Sequence, residues 1–124
     1  MADVVVIEED ALMRSLLVEW LTADGYRVAE AAADDAWSRR PADLVIVDVF
    51  MPRDAGVERL RQARSAYSGT PIIAISAQFR PGVSCKGLAA RALRVDGVIA
   101  KPFAREELLR AVRSVIGPPV HDAA

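Results

Sequence analysis

The sequence predicts a doubly wound α/β fold, in which helices cover both faces of a parallel five-stranded sheet. Short continuous apolar runs alternate with amphipathic stretches, which is typical of βα units. The 124 residues suit one domain, and a hydrophobic content of 52% with 27% charged residues is sufficient for a packed core. We therefore expect a three-layer (βα)5 sandwich.

Three apolar runs predict the central strands, and they span residues 4–7, 44–47 and 72–75. Continuous apolar runs of this length are typical of strands that are covered on both faces. Two weaker runs, residues 26–29 and 97–100, predict two further strands.

Apolar side chains recur every three or four residues in three stretches, and each set predicts one buried stripe of a helix. The stripes are Leu12, Leu16, Leu17, Trp20 and Leu21; Val57, Leu60, Ala63 and Tyr67; and Leu108, Val112, Val115 and Ile116. Asp54 is a candidate N-cap for the second stripe, and Gly117 ends the third. Helices over residues 85–93 and 31–40 complete the five βα units, the second with only about two turns before Pro41. We expect one domain over residues 1–117 and a loose tail over 118–124.

Composition excludes several classes of function. Sixteen basic and seventeen acidic residues give a net charge of −1, which argues against direct nucleic-acid binding. The arginines Arg59, Arg61 and Arg64 alternate with other residue types, and we interpret them as a solvated helix face. A lone Cys85 and a lone His121 exclude a disulfide and Cys/His metal sites. With no signal peptide or membrane-length apolar run, the expectation is a soluble cytoplasmic protein without a membrane partner.

Polar residues follow four of the predicted strands: Glu8 and Glu9, then Asp48, Ser76 and Lys101. In the strand order 2-1-3-4-5 the first and third strands are neighbours, so their three carboxylates would converge. At about 4 Å, each pair of carboxylates would repel by about 4 kcal/mol at an effective dielectric constant near 20. A Mg²⁺ ion would remove that cost, because carboxylates, carbonyls and water are its preferred ligands.

Two interpretations of Asp48 remain open at this point. It could be a nucleophile that accepts a phosphoryl group, with the metal and Lys101 neutralising the oxygens. Alternatively, acids at strand ends simply cap helices or face water. The second interpretation suits any one residue alone, whereas polar residues at successive strand ends favour the first.

Four segments together resemble the receiver domain of bacterial two-component response regulators, over about residues 3–116. They are VIEEDALMR at 6–14, DLVIVDVFMP at 43–52 followed by Gly56, PIIAISA at 71–77, and KPF at 101–103. The resemblance implies the flavodoxin-like strand order 2-1-3-4-5. It also implies a signalling domain rather than an enzyme.

The resemblance further implies a role for each residue at the strand ends. Asp48 would be the phosphoacceptor, and Mg²⁺ would be held by Glu8, Glu9, Asp48 and the backbone carbonyl of Phe50. Ser76 and Lys101 would contact the phosphoryl group, and the peptide bond from Lys101 to Pro102 would be cis. These roles are expectations carried over position by position.

The resemblance implies partners as well. A sensor histidine kinase or a histidine phosphotransfer protein would donate the phosphoryl group. An unidentified downstream protein would bind the surface of the fourth predicted helix, the last strand and the last helix, which could also form a homodimer. We expect output through a partner, because this sequence has no effector domain after residue 117, unless the sequence is part of a longer chain.

The chain departs from the family pattern in four places. Glu9 stands where Asp is usual, and its extra methylene changes the reach of a metal ligand. Val98 stands where an aromatic residue usually couples to the Ser/Thr. The stretch from Glu9 to Asp48 is short, and the stretch from Ser76 to Lys101 is long, so the helices in them would be trimmed or start late.

Three other functions were weighed against the phosphoacceptor. A degenerate receiver would bind partners without phosphorylation. A haloacid-dehalogenase-type phosphatase needs an acid two residues after its nucleophile, where this chain has Phe50. A flavin mononucleotide site must hold a phosphate group, which the carboxylates of Glu8 and Glu9 would repel.

Overall fold

The computed structural model describes residues 3–31, 42–49, 53–80 and 83–119, and side chains within these ranges except those of residues 31 and 53–57. The five strands are β1 (Asp3–Ile7), β2 (Arg27–Ala31), β3 (Leu44–Asp48), β4 (Ile72–Ser76) and β5 (Gly97–Ala100). The helices of the described ranges are α1 (Ala11–Ala23), α2 (Arg53–Ala66), α3 (Leu88–Leu93) and α4 (Arg105–Ile116).

The strands form one parallel sheet in the order β2-β1-β3-β4-β5, which confirms the predicted fold class. Ile7 lies beside Val47 in the register of β1 and β3, and Ser76 lies beside Ala100 in that of β4 and β5. The carboxyl ends of β1, β3, β4 and β5 therefore lie at the same edge of the sheet. Residues that follow these strands can meet there.

The sheet is buried on both faces, as the continuous apolar runs predict. One face packs against α1 and α4 through Leu17, Leu21, Leu108 and Val112. The other face packs against α2 and α3 through Leu60, Ala63, Tyr67 and Ala90. Alternate residues of each central strand point to opposite faces, so each strand contributes to both cores.

Local features fix the ends of the first and last helices. Asp10 is the N-cap of α1, and its Oδ1 accepts hydrogen bonds from the backbone N–H of Leu12 at 2.9 Å and of Met13 at 3.1 Å. Gly117 closes α4 at φ +79°, a left-handed conformation that glycine adopts without strain. The hydroxyl of Tyr26 donates to the carbonyl of Gly117 at 2.9 Å, which joins the start of β2 to the end of α4.

Several predicted boundaries differ from the structure. Strand β2 extends to Ala31, where a helix was expected to begin. The helix predicted over 85–93 starts only at Leu88, because residues 85–87 form a turn with Cys85 packed 2.8 Å from the position a Cβ on Gly97 would take. Leu12 was expected in the buried stripe of α1, but it is 74% exposed.

Other predictions fall outside the described residues. These are the helix predicted over 31–40 beyond its first residue, the carbonyl of Phe50 and the tail beyond residue 119. Asp54 lies inside α2, which includes Arg53, so the prediction that Asp54 is the N-cap of this helix is wrong. Across the described ranges, every helix is too short or too polar to span a bilayer.

Candidate functional site

The carboxyl ends of β1 and β3 bring two buried carboxylates to one lysine. Glu8 is 2% exposed, and its Oε2 lies 3.0 Å from Nζ of Lys101. Oδ1 of Asp48 lies 2.9 Å from the same Nζ. The ammonium group of Lys101 therefore bridges the tips of two neighbouring strands.

A second cation approaches Asp48 from α2. Nη1 of Arg59 donates to the backbone carbonyl of Asp48 at 3.1 Å and lies 3.9 Å from its Oδ2. Nη2 of the same guanidinium donates to Oε1 of Glu9 at 2.7 Å. The two carboxylate oxygens of Asp48 consequently face different cations, Oδ1 towards Lys101 and Oδ2 towards Arg59.

The interpretation of Arg59 as part of a solvated helix face is therefore wrong. The residue is 5% exposed, whereas its neighbour Arg61 is exposed and pairs with Glu58. The available signal was spacing: Arg59 lies four residues before Ala63 and eight before Tyr67, so it shares their buried stripe.

Glu9 lies at the rim of the site rather than beside Glu8. Its side chain is 55% exposed and reaches across to Arg59. The extra methylene of Glu gives the carboxylate this reach. The structure thus brings Glu8 and Asp48 together and links Glu9 to Asp48 through a guanidinium.

Ser76 ends β4 and is also buried, but its hydroxyl is engaged locally. Its Oγ accepts a hydrogen bond from the backbone N–H of Gln78 at 3.0 Å. Its carbonyl accepts from the backbone N–H of Lys101 at 3.0 Å, which ties the ends of β4 and β5 together. The peptide bond between Lys101 and Pro102 is cis, as the resemblance implies.

Hydrogen bonds to Glu8 fix the loop that follows β1. Nη1 of Arg14 donates to the carbonyl of Glu8 at 2.7 Å, and the N–H of Asp10 donates to Oε1 of Glu8 at 3.2 Å. The carboxylate of Glu8 is thereby fixed by contacts at both oxygens. Sequence reasoning missed Arg14, which contributes through backbone contact rather than through a motif.

Burial and pairing shift two pKa values in the site. Burial, together with repulsion from the carboxylate of Asp48, raises the pKa of Glu8 against the opposing effects of Lys101 and the backbone N–H of Asp10. Burial alone would lower the pKa of Lys101, but its hydrogen bonds to Asp48 and Glu8 outweigh burial and raise it. Lys101 therefore stays charged throughout the neutral range.

The donor types suit a small hard cation, because three carboxylates lie at two adjoining strand tips. In their present arrangement, the described residues form no group of three or more Asp, Glu, His or Cys side chains able to hold a metal ion. The reason is visible in the contacts: Glu9 lies on Arg59, and Lys101 lies between Glu8 and Asp48. The chemistry of these donors fits Mg²⁺, whereas their present positions do not form a metal site.

Known proteins resemble this chain in sequence. The sequence model of the response regulator receiver domain matches residues 4–113. Relatives include response regulator MprA from Mycolicibacterium vanbaalenii, which is 37% identical over 118 residues, covering 91% of this chain and 49% of that protein. MprA from Mycobacterium avium is 36% identical with similar coverage. This chain spans about half the length of these relatives.

Solved structures agree with the sequence comparison. Chemotaxis protein CheY4 of Vibrio cholerae superposes with a TM-score of 0.75 at 29% identity, covering 93% of this chain and 98% of that one. TrrA from Thermotoga maritima, solved in complex with Mg²⁺-BeF, gives a TM-score of 0.71 at 27% identity, covering 93% and 99%. The order of the strands, the acids at their tips and these similarities lead to one conclusion: the chain belongs to the response regulator receiver domain family of two-component signalling.

Proposed function

We propose that this domain accepts a phosphoryl group on Asp48 from a phosphohistidine of a sensor kinase or phosphotransfer protein. The contact that carries the proposal is the pairing of Asp48 Oδ1 with Lys101 Nζ at 2.9 Å, at a strand tip that is otherwise buried. A fixed cation at this position stabilises the negative oxygens of an incoming phosphoryl group.

In the proposed reaction, a carboxylate oxygen of Asp48 attacks phosphorus. The new O–P bond forms as the P–N bond to histidine breaks, and the imidazole leaves with the electron pair and takes a proton. Glu8, Glu9 and Asp48, with the carbonyl of Phe50, would hold Mg²⁺. The ion would supply positive charge to the transferred oxygens.

We propose that Ser76 and Lys101 respond to the charge that the phosphoryl group adds. Phosphorylation adds a charge near −2, which would move the ammonium of Lys101, already paired with Asp48, onto the new phosphoryl oxygens and draw the hydroxyl of Ser76 towards them. Because Lys101 N–H is bonded to the Ser76 carbonyl, movement of either residue reaches β5. We propose that the face formed by α3, β5 and α4 then binds a downstream protein or a second copy, in the cytoplasm.

Beryllofluoride with Mg²⁺ provides the test, followed by amide NMR on wild type and Asp48→Asn. Wild type should show shifts at Ser76, Lys101 and β5, and Asp48→Asn should show none. Asp43→Asn, which removes an exposed carboxylate just before β3, should respond like wild type. Equal responses in wild type and Asp48→Asn would contradict the proposal.

A degenerate receiver that binds partners without phosphorylation is the second candidate. Two observations favour it: Glu9 is engaged by Arg59, and Val98 is a buried core residue where the family usually has an aromatic side chain. Under this alternative, wild type would not respond to beryllofluoride and would bind its partner as well as Asp48→Asn does.

A further inference from the structure

Arg59 is a buried cation at the site to which the family resemblance gives no role. We propose that Arg59 is a resident counter-cation that competes with divalent metal for the oxygens of Glu9 and Asp48, and so sets the affinity of the site for Mg²⁺. The inference rests on the proposed function, because it concerns the regulation of the same site.

The guanidinium is held in place rather than sampling solvent. The residue is 5% exposed, and Nη1 is anchored by the Asp48 carbonyl at 3.1 Å. An arginine that is removed from water is stable only when its charge and its donors are satisfied. Glu9 supplies one of these partners at 2.7 Å, so a metal that took Glu9 would remove an ion pair from the guanidinium.

The balance of charge in the site also favours competition between Arg59 and a divalent metal ion. Three carboxylates face two cations, Lys101 and Arg59, where Lys101 alone would leave two negative charges uncompensated. The extra positive charge weakens the field that attracts a divalent ion. It also lies against Asp48 Oδ2, the carboxylate oxygen of Asp48 that does not face Lys101.

Competition therefore acts at two of the three carboxylates. A metal that bound Glu9 would have to displace Nη2 of Arg59, and one that bound Asp48 Oδ2 would lie within a few ångströms of Nη1. Weak Mg²⁺ binding at rest, strengthened wherever Arg59 moves away, is the expected behaviour.

Isothermal calorimetry with Mg²⁺ tests the inference on wild type, Arg59→Met, Arg59→Lys and Arg61→Met. Arg59→Met keeps an apolar stem of similar length and removes the charge, and it should bind Mg²⁺ about tenfold more tightly. Arg59→Lys keeps the charge and should remain within about threefold of wild type. Arg61→Met makes the same charge change at a side chain that is 74% exposed, and should match wild type.

A second measurement does not depend on the folding of a variant. In wild type, the side-chain NMR signals of Arg59, assigned by their loss in Arg59→Lys, should shift as Mg²⁺ is added. Unchanged Arg59 signals at saturating Mg²⁺ would overturn the inference, as would an affinity in Arg59→Met that is no tighter than in Arg61→Met.

The outcomes also separate this inference from the proposed function. If Arg59→Met shows no gain in affinity while beryllofluoride still acts through Asp48, only the role of Arg59 is wrong. If Arg59→Met gains affinity while no variant responds to beryllofluoride, the role of Arg59 stands and the phosphoacceptor is wrong. Absence of Mg²⁺ binding in every variant overturns both.

Discussion

At the scale of single residues, one methylene decides where a carboxylate binds. Glu9 reaches Oε1 to within 2.7 Å of Arg59 Nη2, whereas an aspartate at this position would end about one C–C bond earlier. Mg²⁺ requires close to octahedral geometry at about 2.0–2.1 Å, so the position of this carboxylate matters more to the metal than its charge.

Glu9→Asp is therefore expected to raise the affinity for Mg²⁺ several-fold, because the shorter side chain is released from Arg59 and lies nearer Glu8 and Asp48. Calorimetric titration measures the change. Glu58→Asp shortens an exposed acid that pairs with Arg61 outside the site and is the matched control. A clear fall in affinity would show that Glu9 is itself an adapted ligand.

Glu8 gives a prediction about pH and stability in the absence of divalent ions. Its pKa is raised in the folded state, mainly by burial, so the folded protein binds more protons than the unfolded chain above the ordinary value of 4.5. The free energy of unfolding of wild type therefore decreases as the pH rises from the pKa of Glu8 in the unfolded chain to its pKa in the folded protein.

Glu8→Gln lacks this titration, so its stability relative to wild type should be greatest at pH 7 and should fall as the pH falls towards 4.5. Urea unfolding in the presence of a chelator across this range measures it. Glu19→Gln, an exposed change in α1, should follow wild type. A pH-independent difference for Glu8→Gln would contradict the argument.

At the scale of elements, the end of α3 carries a strained residue. Arg94 is the C-cap with φ +58° and ψ +47°, a left-handed conformation that costs a side-chain-bearing residue about 1 kcal/mol relative to glycine. Its backbone is nonetheless used, because its N–H closes the helix and its carbonyl, with that of Leu93, accepts from Nη2 of Arg64.

Arg94→Gly should thus stabilise the protein by about 0.5–1 kcal/mol, since glycine adopts this conformation without the steric penalty. Arg91→Gly, inside the same helix, should destabilise it by about 1 kcal/mol. Equilibrium unfolding in urea compares the two. If both variants lose the same stability, the left-handed conformation of residue 94 is not costly.

The elements also show why the sequence predicts some features and misses others. Strands β1, β3 and β4 were predictable because continuous runs such as Val4–Ile7 suit only a doubly covered sheet, and the acids at their tips follow from parallel topology. The length of the stretch from Ser76 to Lys101 predicts that α3 starts late, but it does not predict the residue at which the helix begins, since residues 85–87 form a turn in which Cys85 packs against Gly97 of the next strand. Arg59 was missed because charged residues are usually solvated, and two of its partners in the site, Asp48 and Glu9, lie 11 and 50 residues away along the chain.

At the scale of the whole molecule, strand β5 connects the site to both hydrophobic cores. Strand β5 contributes Ile99 to the core under α4 and Val98 to the core on the opposite face. A groove of about 390 Å³ lies beside β5, between the loop before α3 and helix α4, and its lining includes Cys85, Ile99 and Ala111. A movement of Lys101 at the end of β5 reaches this groove within a few residues, whereas β2 lies at the far edge of the sheet.

Beryllofluoride with Mg²⁺ is therefore expected to change the amide NMR signals of β5 and the groove more than those of β2. The short α3, six residues long, offers little resistance to rearrangement of this face.

Because Val98 is packed in the core, the response cannot depend on an aromatic ring at that position. Val98→Ala should lower the free energy of unfolding by about 1–2 kcal/mol while leaving the pattern of NMR shifts in place. Shifts that are equally large in β2, or that persist in Asp48→Asn, would show that the change does not pass from Asp48 through Lys101.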